Sequence, residues 1–335
     1  MSEQMSEIAV VLPVYNGMKY LEENITSVLN QSFTEFTFYI ADDCSADGSW
    51  QYLNSLTDER VKLLRNQKNL GLFPTLNLLC KQADSPIIKL WSQDDIMNPH
   101  CLRDTVHFHK KYPQIAFSYS NRQHIDERGN LLPSEDWKDQ TPEFIPRKLH
   151  DRIALYTGSI AGNIANVAIN REKLAEVGYF DETMTIAADF DMWVKLTEKY
   201  DIGKIGGELI KLRSHGGQLS RAPEFYLLHL TEEKKIFKRL FARSDNSLQK
   251  FGKKNMRWVK YPLYFSFMLL TLRRRQWKLA GRFYQELREL DNVFLLALRW
   301  SYLKAAKIFP KSKKTDNSFL FNDIHPADKS LLRPE

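Results

Sequence analysis

Two pairs of adjacent carboxylates are the residues whose type and spacing first suggest chemistry: Asp42-Asp43 and Asp94-Asp95. Each pair follows an apolar run, residues 36–40 and 86–91. Carboxylates brought to one place repel one another unless a cation or hydrogen-bond donors compensate. Hard oxygen ligands suit Mg2+ or Mn2+, which keep several waters and take only one or two protein carboxylates. A divalent cation, Mn2+ or Mg2+, holding a diphosphate is therefore the chemistry these residues could perform. The competing reading is turn and capping chemistry, which Asp47 in Asp47-Gly48-Ser49 fits.

The elements that must position these pairs are legible over the first 120 residues. Residues 8–14 form a continuous apolar run, as a buried parallel strand requires. Residues 16–30 place Leu21, Ile25, Val28 and Leu29 on one helical face. Strands are expected at 36–40, 61–65, 86–91 and 115–120. Helices are expected at 48–56, 72–82 and 99–112. Such alternation means an α/β fold: a mostly parallel sheet with helices on both faces. Ligands bind such sheets beyond the carboxyl ends of the strands. That places residues 13–17, 42–49 and 92–95 on one rim.

At this point the chain resembles a family. Its motifs are Val11-Leu-Pro-Val-Tyr-Asn-Gly17, Ala41-Asp-Asp-Cys-Ser-Ala-Asp-Gly-Ser49, Asn69-Leu-Gly71 and Ser92-Gln-Asp-Asp95 with Pro99. Gly178-Tyr-Phe-Asp-Glu182 and Ala187-Ala-Asp-Phe-Asp-Met-Trp193 continue it. In order and spacing, residues 7–220 resemble the family 2 inverting glycosyltransferases of the GT-A fold. The resemblance implies a GT-A-type sheet and a nucleotide site. Pro13, Tyr15, Asp42, Asp43 and Asp94 would form that site. Tyr15 would stack on the nucleobase, and Asp43 would accept the ring N–H of uracil or thymine. Asp94 and Asp95 match the end of the DxD segment, whose first acidic position is Ser92 here. Asp95 is expected to be the chief metal ligand, with Asp94 and His215 beside it. Asp189 matches the catalytic base, and Ala188 replaces the base's usual Glu neighbour. By itself Asp189 also fits a helix N-cap. Asp191 reads as structural. Asn163 and Asn166 are candidates for the acceptor pocket.

The implied reaction moves a sugar from a UDP- or dTDP-sugar to an acceptor hydroxyl, with inversion. The acceptor is a saccharide or lipid-linked saccharide of a bacterial surface polysaccharide, such as O-antigen or capsule. Two other readings compete. A nucleotidyltransferase would want a Gly-rich phosphate loop near the N-terminus, and residues 13–17 are not one. A catalytically dead sugar-nucleotide scaffold with a basic interaction domain is the non-enzyme reading. A dehydrogenase is disfavoured further, because no G-x-G-x-x-G follows the first strand.

Composition fits this picture. The chain has 335 residues, 43% hydrophobic, enough for one large or two modest domains. Its three cysteines, Cys44, Cys80 and Cys101, make neither a disulfide framework nor a four-cysteine zinc site. The first residues lack a basic stretch followed by an apolar one, so no secretory signal is read and the cytoplasm is expected. The longest near-apolar run, 261–272, has 12 residues, whereas a spanning helix needs roughly 20.

Charge divides the chain. Residues 231–314 hold 22 Lys and Arg against 6 Asp and Glu, while the whole chain is only +7. The remainder is therefore acidic. Three segments follow: 1–220 catalytic, 221–314 a basic aromatic-rich helical extension, and 315–335 a polar tail. Helices are expected at 224–241, 248–258, 263–273, 277–290 and 293–309. Basic helices with aromatic faces suit an anionic membrane surface, here the inner face of the cytoplasmic membrane. Packing within the protein or in a homo-oligomer is the alternative. No nucleic acid is expected, because no nucleic-acid module is present.

Overall fold

The apolar run Ile8–Val14 is strand β1, buried at every residue. It pairs in parallel with β2 (Phe36–Asp42) on one side and β4 (Ile87–Leu90) on the other. Strand β3 (Val61–Arg65) pairs in parallel with β2. Helices α1 (Met18–Leu29), α2 (Ser49–Asn54) and α3 (Leu72–Gln82) connect these strands. The order β3-β2-β1-β4 reverses the winding direction at β1, which opens a crevice at the carboxyl ends of β1 and β4. The structure is a computed structural model that describes residues 6–133, 141–216 and 225–306. The tail at 315–335 and the basic residues at 307–314 lie outside the described residues.

The sheet is completed by described residues after 120, in a stretch where the sequence pattern assigns no elements. The chain continues through β5 (Ile96–Met97), α4 (Cys101–Lys111), β6 (Phe117–Ile125), β7 (Phe144–Ile145) and α5 (Arg147–Thr157). Then come β8 (Val167–Asn170), α6 (Arg171–Val177), α7 (Ala188–Leu196) and β9 (Ile202–Arg213). Strand β8 inserts between β4 and β6, antiparallel to both. Strands β6 and β9 pair in parallel, and β5 and β7 pair antiparallel to β9. The α/β class stands, with a mixed sheet. Lys89 of β4 helps to fix the insertion: its buried ammonium donates to the carbonyls of Ala165 and, at 3.4 Å, Val167. Burial pulls its pKa down to about 8.

Alternation along β1 sends Ala9 and Val11 to one face of the sheet, and Ile8, Val10 and Leu12 to the other. Leu21, Ile25 and Val28 of α1 cover the second face, with Leu102 and Val106 of α4. The first face is covered by α3, α5 and α7, with Trp193 fully buried at its centre.

The extension comprises α8 (Phe225–Arg243), α9 (Asn246–Asn255), α10 (Tyr261–Arg273), α11 (Trp277–Leu290) and α12 (Val293–Ala305). A π-helical turn, Met256–Lys260, carries α9 into α10 without a break. Pro262 sits in the first turn of α10, where a missing N–H is tolerated. Ile236, Phe237 and Leu240 of α8 enter the core on the first face of the sheet. The sheet ends at Arg213 in β9, but its core continues into α8. Leu227 and Leu230 instead join a separate cluster with Phe265, Phe283, Leu287 and Leu296. Among the described residues, no helix is long and apolar enough to cross a membrane.

Candidate active site

The site is built at the end of β1. Val11 accepts the N–H of Trp91 on the β4 side at 3.0 Å. Pro13, two residues on, faces the same side beyond the last paired residue of β4, so its missing N–H costs no ladder bond. Tyr15 then emerges with 45% of its surface exposed, as a base-stacking ring requires. The Gln93 amide clamps its backbone, accepting its N–H at 2.8 Å and donating to its carbonyl at 3.1 Å. A Cβ on Gly17 would lie 2.6 Å from Gln93 Oε1, so this approach needs glycine. Asp47 accepts the Met18 N–H at 3.0 Å and holds Ser49 through its other oxygen. It performs the capping role its sequence context suggests.

The Asp42-Asp43 pair ends β2. Asp42 is fully buried; one oxygen meets the Ser45 N–H at 3.2 Å and Arg65 at 3.3 Å. Its Oδ1 is buried without a hydrogen-bond partner among the described residues. Asp43 accepts three bonds of 2.8 Å, from Asn66 Nδ2 and the N–H groups of Leu70 and Gly71. A carboxylate has about four acceptor positions, so one remains for a nucleobase N–H. The other three tie the 66–71 loop to the rim.

The second pair divides its labour. Asp95 is buried, and its Oδ1 accepts the Arg213 N–H at 2.9 Å. Its Oδ2 is buried without a hydrogen bond of good geometry. Burial and the neighbouring Asp94 charge push its carboxyl well above the usual range, against the pull of Arg213 and Ser92. Asp94 is partly exposed, and its Oδ2 lies 2.9 Å from His215 Nε2. The sequence reading puts most weight on Asp95, but Asp94 and His215 face outward together. Among the described residues, no group of three or more His, Cys, Asp or Glu side chains is arranged to hold a metal ion. Two side chains with substrate oxygens and water still fit Mg2+ or Mn2+, which take few protein ligands.

Asp189 lies in the first turn of α7. Protein surrounds it, although it keeps partial exposure. One oxygen accepts the Phe190 N–H at 2.7 Å. Burial raises its pKa to about 7, and Glu232 and Glu233 push the same way. A carboxylate with that pKa, open to solvent, can take a proton from a hydroxyl near neutral pH. Asp191 turns inward and pairs with Arg239 at 2.9 Å and Lys195 at 3.1 Å, a structural role. Of the two asparagines, Asn166 is corrected. Asn163 caps the short turn Ile164–Asn166 by accepting the Ala165 N–H. Asn166 is buried, and its amide is spent on Ser120 and Ala161. Asn166 therefore has no amide atom left to line an acceptor pocket.

Comparison with known proteins decides the family. Glycosyl transferase family 2 matches residues 9–177, half of the chain. The chain belongs to this family. An uncharacterized glycosyltransferase of Haemophilus influenzae is 24% identical over 64% of this chain and 67% of its own length. Chondroitin synthase of Escherichia coli is 26% identical over 57% of this chain. The match spans only 26% of that synthase. Among solved structures, residues 1–349 of S. aureus TarS with UDP-GlcNAc superpose with a TM-score of 0.59 at 22% identity. That match covers 75% of this chain and 70% of TarS, and shows the shared GT-A fold.

Three residues that support the glycosyltransferase site escape a reading by motif. Asn24, on the buried face of α1, donates to the carbonyls of Ser92 (2.7 Å) and Asp95 (2.6 Å), and accepts from Trp91 Nε1. Arg213, at the end of β9, donates from Nε to the Asp94 carbonyl at 2.9 Å and pairs with Glu23. Glu232 of α8 accepts the N–H groups of Thr185, Ile186 and Ala187 at 2.8–3.0 Å, just before α7. Asn24 had a signal: a polar residue at core spacing between Leu21, Ile25 and Val28. Arg213 had one too, as the cation that buried carboxylates demand. Glu232 had none, because its partners are 45–47 residues away.

Proposed function

We propose that this chain transfers a sugar from a UDP- or dTDP-sugar to an acceptor hydroxyl with inversion, in the assembly of a bacterial surface polysaccharide. The observation that carries the reading is Asp189, a carboxylate poised near neutrality at the start of α7. As base it would take the acceptor proton as the hydroxyl attacks the anomeric carbon. A single carboxylate acting on the acceptor gives in-line displacement and hence inversion. Tyr15 and Asp43 would hold the base of the donor. Asp94 and His215 would hold Mn2+ or Mg2+. A bound cation there supplies neutralisation of the charge that develops on the nucleoside diphosphate. Support for a uridine donor comes from TarS, solved with UDP-GlcNAc and with UDP. Support for a polysaccharide product comes from the relatives named chondroitin synthase and hyaluronan synthase. The test measures UDP and dTDP release from a panel of nucleotide sugars, with Mn2+ or EDTA. Sugar-dependent release that Asp189→Asn abolishes is expected. Tight nucleotide binding with no turnover on any donor or acceptor would leave the scaffold reading.

A further inference from the structure

The helices after α8 leave a feature that the transfer reaction does not use. A cavity of about 390 Å³ lies between α8, α9, the π-helical turn and α10. Its floor is apolar and aromatic, formed by Phe237, Phe241, Met256, Tyr261 and Tyr264. Five cations line it, Lys234, Lys238, Lys253, Arg257 and Lys260, against one acid, Glu233. Lys260 pairs with Glu233 at 2.9 Å, and Lys234 with Glu286 at 3.2 Å. Lys238 and Lys253 meet no carboxylate among the described residues. The π-helical turn brings Met256, Arg257 and Lys260 to the wall, and such turns cluster at functional sites.

The cavity opens beside an apolar face with no partner in the described structure. Phe294 is 71% exposed and Trp277 66% exposed, with Leu295, Leu298, Tyr302 and Trp258 also exposed. Trp258 of the π-helical turn meets Tyr302 of α12 edge-on at 6.2 Å. Arg299 of α12 donates to the Arg257 carbonyl at 2.9 Å, so cavity wall and apolar face adjoin. Arg273, Arg274, Arg275, Lys278 and Lys304 are exposed along and between α10, α11 and α12.

We propose that this face docks on an anionic lipid bilayer, with the cavity taking the phosphate headgroup of one of its lipids. Charge complementarity selects the occupant, because Lys238 and Lys253 meet no carboxylate among the described residues and a neutral surface would leave them so. Apolar side chains would enter the interface while the basic rim met the headgroups. The proposal stands apart from the transfer reaction, because it is read with no donor or acceptor present.

The test is co-sedimentation of the full chain with phosphatidylcholine vesicles, with and without phosphatidylglycerol, at low and high salt. Preferential binding to the anionic vesicles is expected, weakened by salt but not abolished. Lys238→Glu with Lys253→Glu should lower that binding by about tenfold or more. Phe294→Ser with Leu298→Ser should remove the salt-resistant part. If the cavity pair lowers the melting temperature, Arg274→Glu with Arg275→Glu on the exposed turn carries the same test. Equal, negligible binding to both vesicles overturns the proposal. So does glycerol 3-phosphate binding without vesicle binding, which would mark a site for free phosphate. Self-association that Phe294→Ser with Leu298→Ser disperses, without vesicle binding, would assign the face to a second copy.

Discussion

At the scale of single residues, Asp189 ties activity to a stability cost. Its carboxyl is raised to about 7 from an ordinary 3.8, chiefly by burial. A base in the role proposed for Asp189 works only when ionised, so turnover should rise with pH through about 7 and then level. Asp189→Asn should lower kcat by about 10²–10⁴ while leaving donor binding nearly intact, as steady-state kinetics and calorimetry would show. The same shift acts on folding. Between the unfolded and folded pKa values, the folded chain binds the extra proton, so stability falls as pH rises from about 4 to 7. Asp189→Asn should therefore melt higher than the parent at pH above 7 and equally at pH 4; an unchanged difference across that range would refute the linkage. Asp94 and Asp95 separate by another contrast. Asp94→Asn should abolish the Mn2+-dependent gain in UDP affinity with little change in melting. Asp95→Ala should lower the melting temperature, because it removes the acceptor that holds the Arg213 N–H. Calorimetry of UDP with Mn2+ or EDTA, beside a melting curve, distinguishes the two.

At the scale of elements, the approach to α7 depends on a helix from another part of the chain. Glu232 satisfies three backbone N–H groups in the turn that leads to Asp189. Glu232→Ala would leave those donors unpaired beside the core, a loss on the order of 3 kcal/mol. Melting should register that loss, and kcat should fall with it because the base is no longer held. Glu232→Gln keeps one acceptor oxygen and should recover part of both. Equal kcat in the parent and Glu232→Ala would show that α7 holds its geometry without the cap. The 92–95 loop is held in the same way, by Asn24 from α1 and Arg213 from β9. Each candidate carboxylate thus sits on a segment pinned by a distant element, which is how loops acquire the precision of a scaffold.

At the scale of the whole molecule, the sheet and the extension share a core. Ile236, Phe237 and Leu240 pack with Phe190 and Trp193 on one face of the sheet. Arg239 and Arg243 add ion pairs to Asp191 and Asp151. A chain cut after residue 220 should lose its cooperative melting transition and expose apolar surface, because a large part of the cover over α7 is gone. Calorimetry of the truncated and full chains tests this; a sharp transition in the truncated chain would mean that the body closes its own core.

Periodicity alone located β1, α1, β2, β3, α3 and the rim on which the carboxylates stand. In that region neighbours in sequence are neighbours in the sheet, and burial on both faces leaves an unbroken apolar run. The family motifs singled out Tyr15, Asp43, Asp94, Asp189 and His215 as candidates. Which oxygens face outward was beyond them. Asp94 and Asp95 are adjacent and chemically identical, yet the end of β9 meets Asp95 and leaves Asp94 beside His215. The antiparallel insertion of β8 was also hidden, because its four residues carry no alternation to read. The same holds for Glu232, an acidic residue in a basic helix whose sequence context points to solvent. Local pattern determines which elements form and which residue types reach the rim. Long-range packing decides which of those residues are left facing the substrate, because only the folded chain sets who buries whom.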